Sequence, residues 1–280
     1  MQNIKKIAVQ MDPMEPMDIS GDSTFALMLE AQERGYEIFH YLPHDLSLLD
    51  GKVIAWARPV KVRREKGNHF TFRDGFSLNL REVDVVLMRQ DPPFDMSYIT
   101  ATHILDLIHP DTLVVNNPAE VRNAPEKLYS FKFEDIMPPT LVTKRADDIK
   151  IFREVHRDII LKPLYGNGGA GIFRVKPDDE NLNSLLEMFS NFYKEPIIAQ
   201  AYLPAVREGD KRVVLVDGKP VGAINRIPAK GESRSNMHVG GKAEMVGLNP
   251  RDKEICDIIG PDLKARGLLF VGIDIIGEYL

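Results

Sequence analysis

Several charged side chains in the second half of the chain stand where packing alone would not place them. Lys127 begins a helix behind Pro125-Glu126, Lys162 ends an apolar strand, and Asp210-Lys211-Arg212 opens another. Arg226 closes a further strand, and Asp274 lies inside one among apolar neighbours. Taken singly, each is the kind of charge that a solvated surface carries. Taken together, two lysines, two arginines and a strand aspartate describe phosphate and metal handling. An arginine fork grips a carboxylate or phosphate with parallel donors, whereas a lysine supplies a compact point charge.

Lys162 is followed at once by a glycine-rich turn. Ile159-Ile160-Leu161-Lys162-Pro163 leads through Gly166, Asn167, Gly168, Gly169 and Gly171 into Ile172-Phe173-Arg174-Val175. Glycines let backbone N–H groups close on an anion, and a strand-end lysine adds a fixed positive charge. Gly166, Gly168 and Gly171 also spell G-x-G-x-x-G, but that dinucleotide fingerprint needs a helix directly behind it. The β-branched and aromatic run up to Val175, with Pro177 beyond it, reads as a strand instead. No G-x-x-x-x-G-K-S/T occurs, so a P-loop is excluded. What remains is strand, glycine lid, strand, geometrically like the phosphate-covering loop of kinases, with a plain glycine-rich hairpin as the competing reading.

These residues must be positioned by two domains, the number expected of 280 residues. Hydrophobic residues at 44% and charged residues at 28% are those of an ordinary globular protein. A net charge of −5 argues against a nucleic-acid partner. No apolar leader or long apolar run is present, so the expectation is a cytoplasmic protein that does not engage a membrane. Cys256 is the single cysteine, set among Ile255, Ile258, Ile259 and Leu263 in a helical pattern, and is expected to be a buried thiol.

The first part alternates strands and helices. Strands are expected over residues 6–11, 37–42, 83–89 and 113–116, and helices over 23–34 and 97–108, the former capped by Asp22 or Ser23 and ended by Gly35. That rhythm predicts a parallel sheet covered by helices. Residues 50–80 read as a hairpin excursion. Beyond Pro138-Pro139, helices are expected over 147–156 and 182–193, and a strand over 197–201. A hairpin over 211–216 and 221–226 turns at Asp217-Gly218. Residues 229–242 lack apolar periodicity and are long enough for an active-site lid. Asn249-Pro250 starts a last helix, and residues 269–276 form a last strand.

The histidines make no catalytic set. His40 and His44 are four apart, but Pro43 forbids the helix that would put them on one face, and His238 lies in the expected lid. No G-x-S-x-G nucleophile motif appears, and Met11, Met14, Met17 and Trp56 carry no chemistry.

At this level the chain resembles the bacterial glutathione synthetases. The resemblance rests on Met11-Asp12-Pro13, Leu87-Met88-Arg89-Gln90-Asp91-Pro92-Pro93-Phe94-Asp95, Leu161-Lys162-Pro163 and Tyr202-Leu203-Pro204. Gly209-Asp210-Lys211-Arg212, Arg226-Ile227-Pro228 and Phe270-Val271-Gly272-Ile273-Asp274-Ile275-Ile276-Gly277 extend it to the last strand. It implies an N-terminal α/β parallel-sheet domain over residues 1–122 and a two-subdomain α+β ATP-grasp fold over 123–280. In that fold, 123–203 would be the lid subdomain and 204–280 the C-terminal subdomain.

The implied reaction joins γ-glutamylcysteine to glycine through an acyl phosphate, with ATP cleaved to ADP and phosphate. By resemblance, Lys127 and Lys162 contact ATP phosphates, and Gly166, Asn167, Gly168 and Gly169 cover them. Gln200 and Leu203 lie at the adenine side, and Asp210 is a nucleotide-site acid. Arg212 and Arg226 clamp the reacting carboxylate and developing phosphate charge, while Arg234, Asn236 and Gly241 belong to the lid over the dipeptide. Asp274 is a ligand for Mg²⁺, with Mn²⁺ as a substitute. Arg89 has two readings, substrate contact or structural positioning. The family also implies a homotetramer.

The family pattern continues past Glu278-Tyr279-Leu280 with a strand carrying a glutamate and an asparagine for the metal. That departure sets two alternatives beside the synthetase reading: a non-catalytic ATP-binding remnant, and an ATP-grasp ligase for another acceptor. It carries the expectation that residues 1–280 bind nucleotide weakly and turn over little, and that the last strand lacks a neighbour.

Overall fold

The computed structural model describes residues 5–166, 168–228 and 242–280. The chain forms two compact units, Met1–Asn123 with Arg266–Leu268, and Ala124–Ala265 with Leu269–Leu280.

In the first unit the order is β1 (Lys6–Gln10), α1 (Ser23–Glu33), β2 (Glu37–Tyr41), β3 (Leu46–Leu49), β4 (Lys52–Val62), β5 (Phe70–Phe72), β6 (Phe76–Asn79), β7 (Val85–Met88), α2 (Met96–Asp106), β8 (Leu113–Val115) and α3 (Pro118–Asn123). The sheet runs β3-β4-β2-β1-β7-β8, with β5 and β6 also on β4. β2, β1, β7 and β8 are parallel, as the alternating pattern predicts. The excursion is antiparallel. Successive side chains of a strand point to opposite faces. Ala8, Phe39 and Tyr41 therefore pack with Leu105 of α2, whereas Ile7, Val9 and Ile38 pack with Phe25, Met28 and Leu29 of α1. α1 starts where Asp22 Oδ1 accepts the Phe25 N–H at 2.7 Å, which satisfies one of the orphan donors of the first turn.

The second unit contains α4 (Glu126–Tyr129), β9 (Thr140–Thr143), α5 (Ala146–His156), β10 (Ile159–Pro163), β11 (Phe173–Val175), α6 (Leu182–Phe192), β12 (Ile197–Ala201), β13 (Asp210–Val216), β14 (Lys219–Ile227), β15 (Lys242–Met245), α7 (Pro250–Ala265) and β16 (Phe270–Ile275). It builds two antiparallel sheets, β11-β10-β12-β9 and β15-β14-β13-β16. Ile159, Leu161, Ala199 and Ile197 cover one face of the first sheet and bury Ile149 of α5 with Leu186 and Phe189 of α6.

α7 begins with a reciprocal cap: Asn249 Oδ1 accepts the Asp252 N–H and Asp252 Oδ2 accepts the Asn249 N–H, both at 2.8 Å. Asp252 is fully buried and also receives the Lys211 ammonium from β13. That pair locks the helix onto its sheet. Cys256 is buried as expected, and burial pushes its thiol up to about 11, which makes it inert at neutral pH. β16 ends the order of its sheet, and beyond it the Leu280 N–H donates to Ile136 O at 2.8 Å. β3, β9 and β15 are strands that the sequence pattern did not announce.

Candidate functional site

The register of β13 with its two neighbours assembles a charged face. Asp210 stands opposite Arg226 of β14, and Arg212 stands opposite Asp274 of β16. Asp210 and Arg212 are two apart on one strand, so all four side chains emerge on the same face. Arg226 Nη2 donates to Asp210 Oδ2 at 2.6 Å and lies 2.7 Å from Asp274 Oδ1. Arg212 Nη2 donates to Asp274 Oδ2 at 2.9 Å, and its Nε to Asp274 Oδ1. Asp274 is thus gripped by two guanidiniums. Burial pushes its carboxyl up, but Arg212 and Arg226 outweigh that and hold it below the usual range. Burial also works against the Arg212 charge, and Asp274 restores it and more, so the guanidinium sits above its ordinary value. Arg226 and Asp210 are buried, and Arg226 Nε has no side-chain or backbone acceptor among the described residues.

The first sheet of the unit and α4 add the lysines, Lys162 from β10 and Lys127 from the helix. Lys162 Nζ donates to Gln200 Oε1 at 2.9 Å, and Gln200 Nε2 donates to Thr140 Oγ1 at 2.8 Å. Burial, aided by the Lys127 ammonium, lowers Lys162 to about 8, while Glu126, Asp210 and Asp274 pull the other way. That Asp210 and Asp274 act on Lys162 brings the lysine of one sheet into the electrostatic reach of the charged face of the other. Lys127 Nζ donates to Gly166 O at 2.8 Å, which ties α4 to the start of the glycine turn. Gly166, Gly168, Gly169 and Gly171 have φ of +143°, +65°, +81° and +70°. Four such values in one turn need residues without Cβ. β11 follows the turn antiparallel to β10, so no helix stands behind the glycines, and the dinucleotide reading stays excluded.

Leu203 sits half-buried just past β12 and starts a short turn by accepting the Val206 N–H at 3.1 Å. Asn167, Arg234, Asn236, His238 and Gly241, with the rest of residues 229–241, lie outside the described residues, while Lys242, the last residue of the expected lid, opens β15. Two participants went unread in the sequence. Glu126 acts on both Lys162 and Arg212, and Thr140 anchors Gln200. The signal for Glu126 was its place directly before Lys127. Thr140 had none, because β9 itself was not recognised.

Chemically, this is a set of fixed cations balanced by carboxylates, able to take a polyanion by exchanging one counter-charge for another. No three His, Cys, Asp or Glu side chains cluster as a metal cage among the described residues. Asp274 is a single carboxylate, the contribution a protein makes when Mg²⁺ takes its other oxygens from phosphates and water. Its chemistry fits that ion in this restricted sense.

The family models for the N-terminal domain and for the ATP-grasp domain of prokaryotic glutathione synthetase match residues 5–122 and 126–280. The chain belongs to this family. The glutathione synthetase of Agrobacterium fabrum is 57% identical over 280 residues, covering 100% of this chain and 88% of the relative. That of Mesorhizobium japonicum is 58% identical over 275 residues, 98% of this chain and 88% of the relative. That of Vibrio cholerae is 45% identical over 277 residues, 98% and 87%. Among solved structures, D-cycloserine synthetase DcsG superposes with a TM-score of 0.65 over 96% of this chain and 86% of that one, at 12% identity. The ATP-grasp ligase PsnB, complexed with its precursor peptide and AMPPNP, gives 0.60 over 98% and 86%, at 16% identity. At that identity the two structures speak for the fold alone, and that fold agrees with the ATP-grasp family model over residues 126–280.

Proposed function

We propose that the chain is an ATP-dependent carboxylate–amine ligase that joins γ-glutamylcysteine to glycine, giving glutathione, ADP and phosphate. The observation that carries this reading is identity of 57% to a glutathione synthetase along the entire chain. The arrangement of Lys162, Arg212, Arg226 and Asp274 agrees with it.

The difficulty in amide formation is that a carboxylate is not electrophilic. Transfer of the γ-phosphoryl group onto the cysteinyl carboxylate makes an acyl phosphate, and the glycine amine then displaces phosphate. Positioning and charge neutralisation do most of the work in phosphoryl transfer. Lys127 and Lys162 are assigned to the ATP phosphates, and Gly166, Asn167, Gly168 and Gly169 to their cover. Gln200 and Leu203 are assigned to the adenine side. Arg212 and Arg226 orient the reacting carboxylate and hold the charge that grows on the transferring phosphoryl group. Asp210 keeps Arg226 in place. Arg234, Asn236 and Gly241 are assigned to a lid that keeps water from the acyl phosphate. Mg²⁺, for which Asp274 is the proposed protein ligand and Mn²⁺ a substitute, would neutralise phosphate charge when bound. Residues 1–122 form the substrate-side domain and 123–280 the ATP-grasp domain, divided near 203.

The partners are small molecules, with no role for nucleic acid or membrane. No helix among the described residues is long and apolar enough to cross a membrane. We assign the protein to the cytoplasm as a homotetramer. The deciding experiment measures phosphate release with ATP and Mg²⁺, adding γ-glutamylcysteine and glycine singly and together. Release that requires both substrates is expected, and its absence overturns the reading.

A further inference from the structure

The turn that carries Gly166, Gly168, Gly169 and Gly171 has little stiffness of its own. Its glycines lack the Cβ that narrows backbone freedom, so its position depends on how its two ends are held. The upstream end is tied by Lys127 through Gly166 O. The downstream end is β11, three residues at the edge of their sheet, paired with β10. Phe173 and Val175 face the core beneath that sheet, which leaves Arg174 as the one β11 side chain on the opposite face.

Arg174 holds three strands at once. Opposed residues of an antiparallel ladder share a face, so Arg174 stands with Ile160 of β10 and Gln200 of β12, on the face that also bears Lys162. The Tyr202 N–H donates to Asp158 O at 2.9 Å, which adds a rung to the β10–β12 ladder and brings Asp158 and Tyr202 onto the same face. Arg174 Nε and Nη2 donate to Asp158 Oδ1 and Oδ2 at 3.0 and 2.6 Å, a two-pronged grip. The same guanidinium lies 3.7 Å from the centre of the Tyr202 ring, whose hydroxyl accepts from Arg207 Nε at 3.1 Å.

A strained turn delivers Asp158 to this contact. Arg157 has φ of +65° and ψ of −71°, and the Asp158 N–H donates to His156 O at 2.8 Å across it. A γ-turn of that hand is rare and strained, and such strain persists where the surroundings impose it, above all at functional sites. The Arg174 and Asp158 side chains are 27% and 30% exposed, and an ion pair so open to water adds little to stability. Stability therefore does not account for the strain.

We infer, on the ligase reading above, that Arg174 is a positioning residue for ATP. Pinned by Asp158 and stacked on Tyr202, it fixes the glycine turn, assigned to the phosphates, to the strand end at Tyr202-Leu203, assigned to the base. The two ends of the nucleotide then meet grips already in register, and little ordering remains for binding to impose. Such a residue acts on ground state and transition state alike, so its loss raises the KM for ATP and spares kcat.

Calorimetry in Mg²⁺ should show ATP bound about tenfold more weakly by Arg174→Met, the worth of one charge-assisted contact. Turnover should keep kcat within about twofold of wild type, with the KM for γ-glutamylcysteine and for glycine unchanged. Inorganic tripolyphosphate, which engages the phosphate end alone, should bind both proteins equally. Asp158→Asn separates positioning from direct contact of Arg174 with phosphate. Positioning predicts weaker ATP binding, because the fork is released, whereas direct contact predicts tighter binding, because a negative charge has gone. The double variant should be no worse than Arg174→Met alone. Tighter or unchanged ATP binding by Asp158→Asn, or equal losses toward ATP and tripolyphosphate in Arg174→Met, would overturn the inference. Should Arg174→Met fold poorly, Arg174→Lys, which keeps the charge but not the fork, takes its place: a weakened Kd for ATP supports positioning and a wild-type Kd refutes it. A wild type that binds ATP but releases no phosphate with both substrates defeats the ligase reading and leaves this comparison standing. A wild type that binds no ATP defeats both.

Discussion

Arg212 and Asp274 face each other across the β13–β16 ladder, and both prongs of the guanidinium engage both carboxylate oxygens. The pair is preformed by register, since neither side chain has to search for the other. On the proposed function, an arriving phosphate must compete with Asp274 for that fork. Arg212→Lys keeps the charge but loses the planar pair of donors. We expect kcat/KM to fall about 10²-fold, the scale seen when one preorganised donor to a developing anion is removed, with little change in melting temperature. Steady-state kinetics beside a thermal melt check this, and full activity in the lysine variant would refute the clamp.

Asp210 and Asp274 share Arg226 but should behave oppositely on substitution. The Asp210 and Arg226 side chains are 10% and 9% exposed, whereas that of Asp274 is 42% exposed. Breaking a buried pair strands a charge and costs about 3 kcal/mol, while an exposed ion pair is worth about 1 kcal/mol or less. Asp210→Asn should therefore lower the urea midpoint clearly, and Asp274→Asn only slightly. Turnover should show the reverse emphasis, with Asp274→Asn the more damaging per unit of lost stability. Equal destabilisation by the two would contradict the burial difference.

The candidate residues stood out by their types, but how they pair was not legible. Lys162, Arg212, Arg226 and Asp274 stood out because strands seldom carry charge without reason, and the sequence around the Asp217-Gly218 turn predicted a hairpin. That hairpin has a bulge between Val214 and Leu215, and its exact register decides that Asp210 meets Arg226. Composition carries no trace of such a register. β9 escaped because Thr140-Leu141-Val142-Thr143 is half-buried on every residue and shows no alternation. Its role, anchoring Gln200 through Thr140, escaped with it. The parallel sheet was easier, since its strands are nearly continuous apolar runs separated by a well-capped helix.

Lys162 gives the site a pH dependence with a definite sign. Its folded value of about 8 lies below its ordinary 10.5, so the free enzyme loses this proton as pH rises through about 8. Phosphates beside the ammonium favour the charged form. ATP binding should therefore take up protons between about pH 8 and 10, and ATP affinity should weaken over the same range. Calorimetry at pH 8.5 in two buffers of different ionisation enthalpy measures the uptake, and Lys162→Met should abolish it. The linkage for folding has the opposite direction. The unfolded chain binds more protons than the folded one between about 8 and 10.5, so without ATP this group adds stability as pH rises through that window. Proton uptake of zero in wild type would remove Lys162 from the phosphate site.

Gly218 and Gly260 form a second close relationship, between the β13–β14 turn and α7. A Cβ on Gly218 would lie 2.4 Å from Gly260 O, and a Cβ on Gly260 would lie 2.1 Å from Gly218 O. Gly218 also has φ of +75°, following Asp217 at +51°, the left-handed pair that a tight hairpin turn requires. Either alanine must push the turn off the helix, and that displacement strains the Lys264–Asp217 contact at 2.6 Å. Gly218→Ala should cost about 2–4 kcal/mol, combining overpacking with the left-handed penalty. Gly260→Ala should cost less, because alanine gains about 1 kcal/mol over glycine within a helix. The same separation relieves both clashes, so the double variant should be destabilised by clearly less than the sum. Denaturation midpoints for the four proteins of the cycle measure this coupling. Additivity to within about 0.5 kcal/mol would mean that the two glycines do not share one contact.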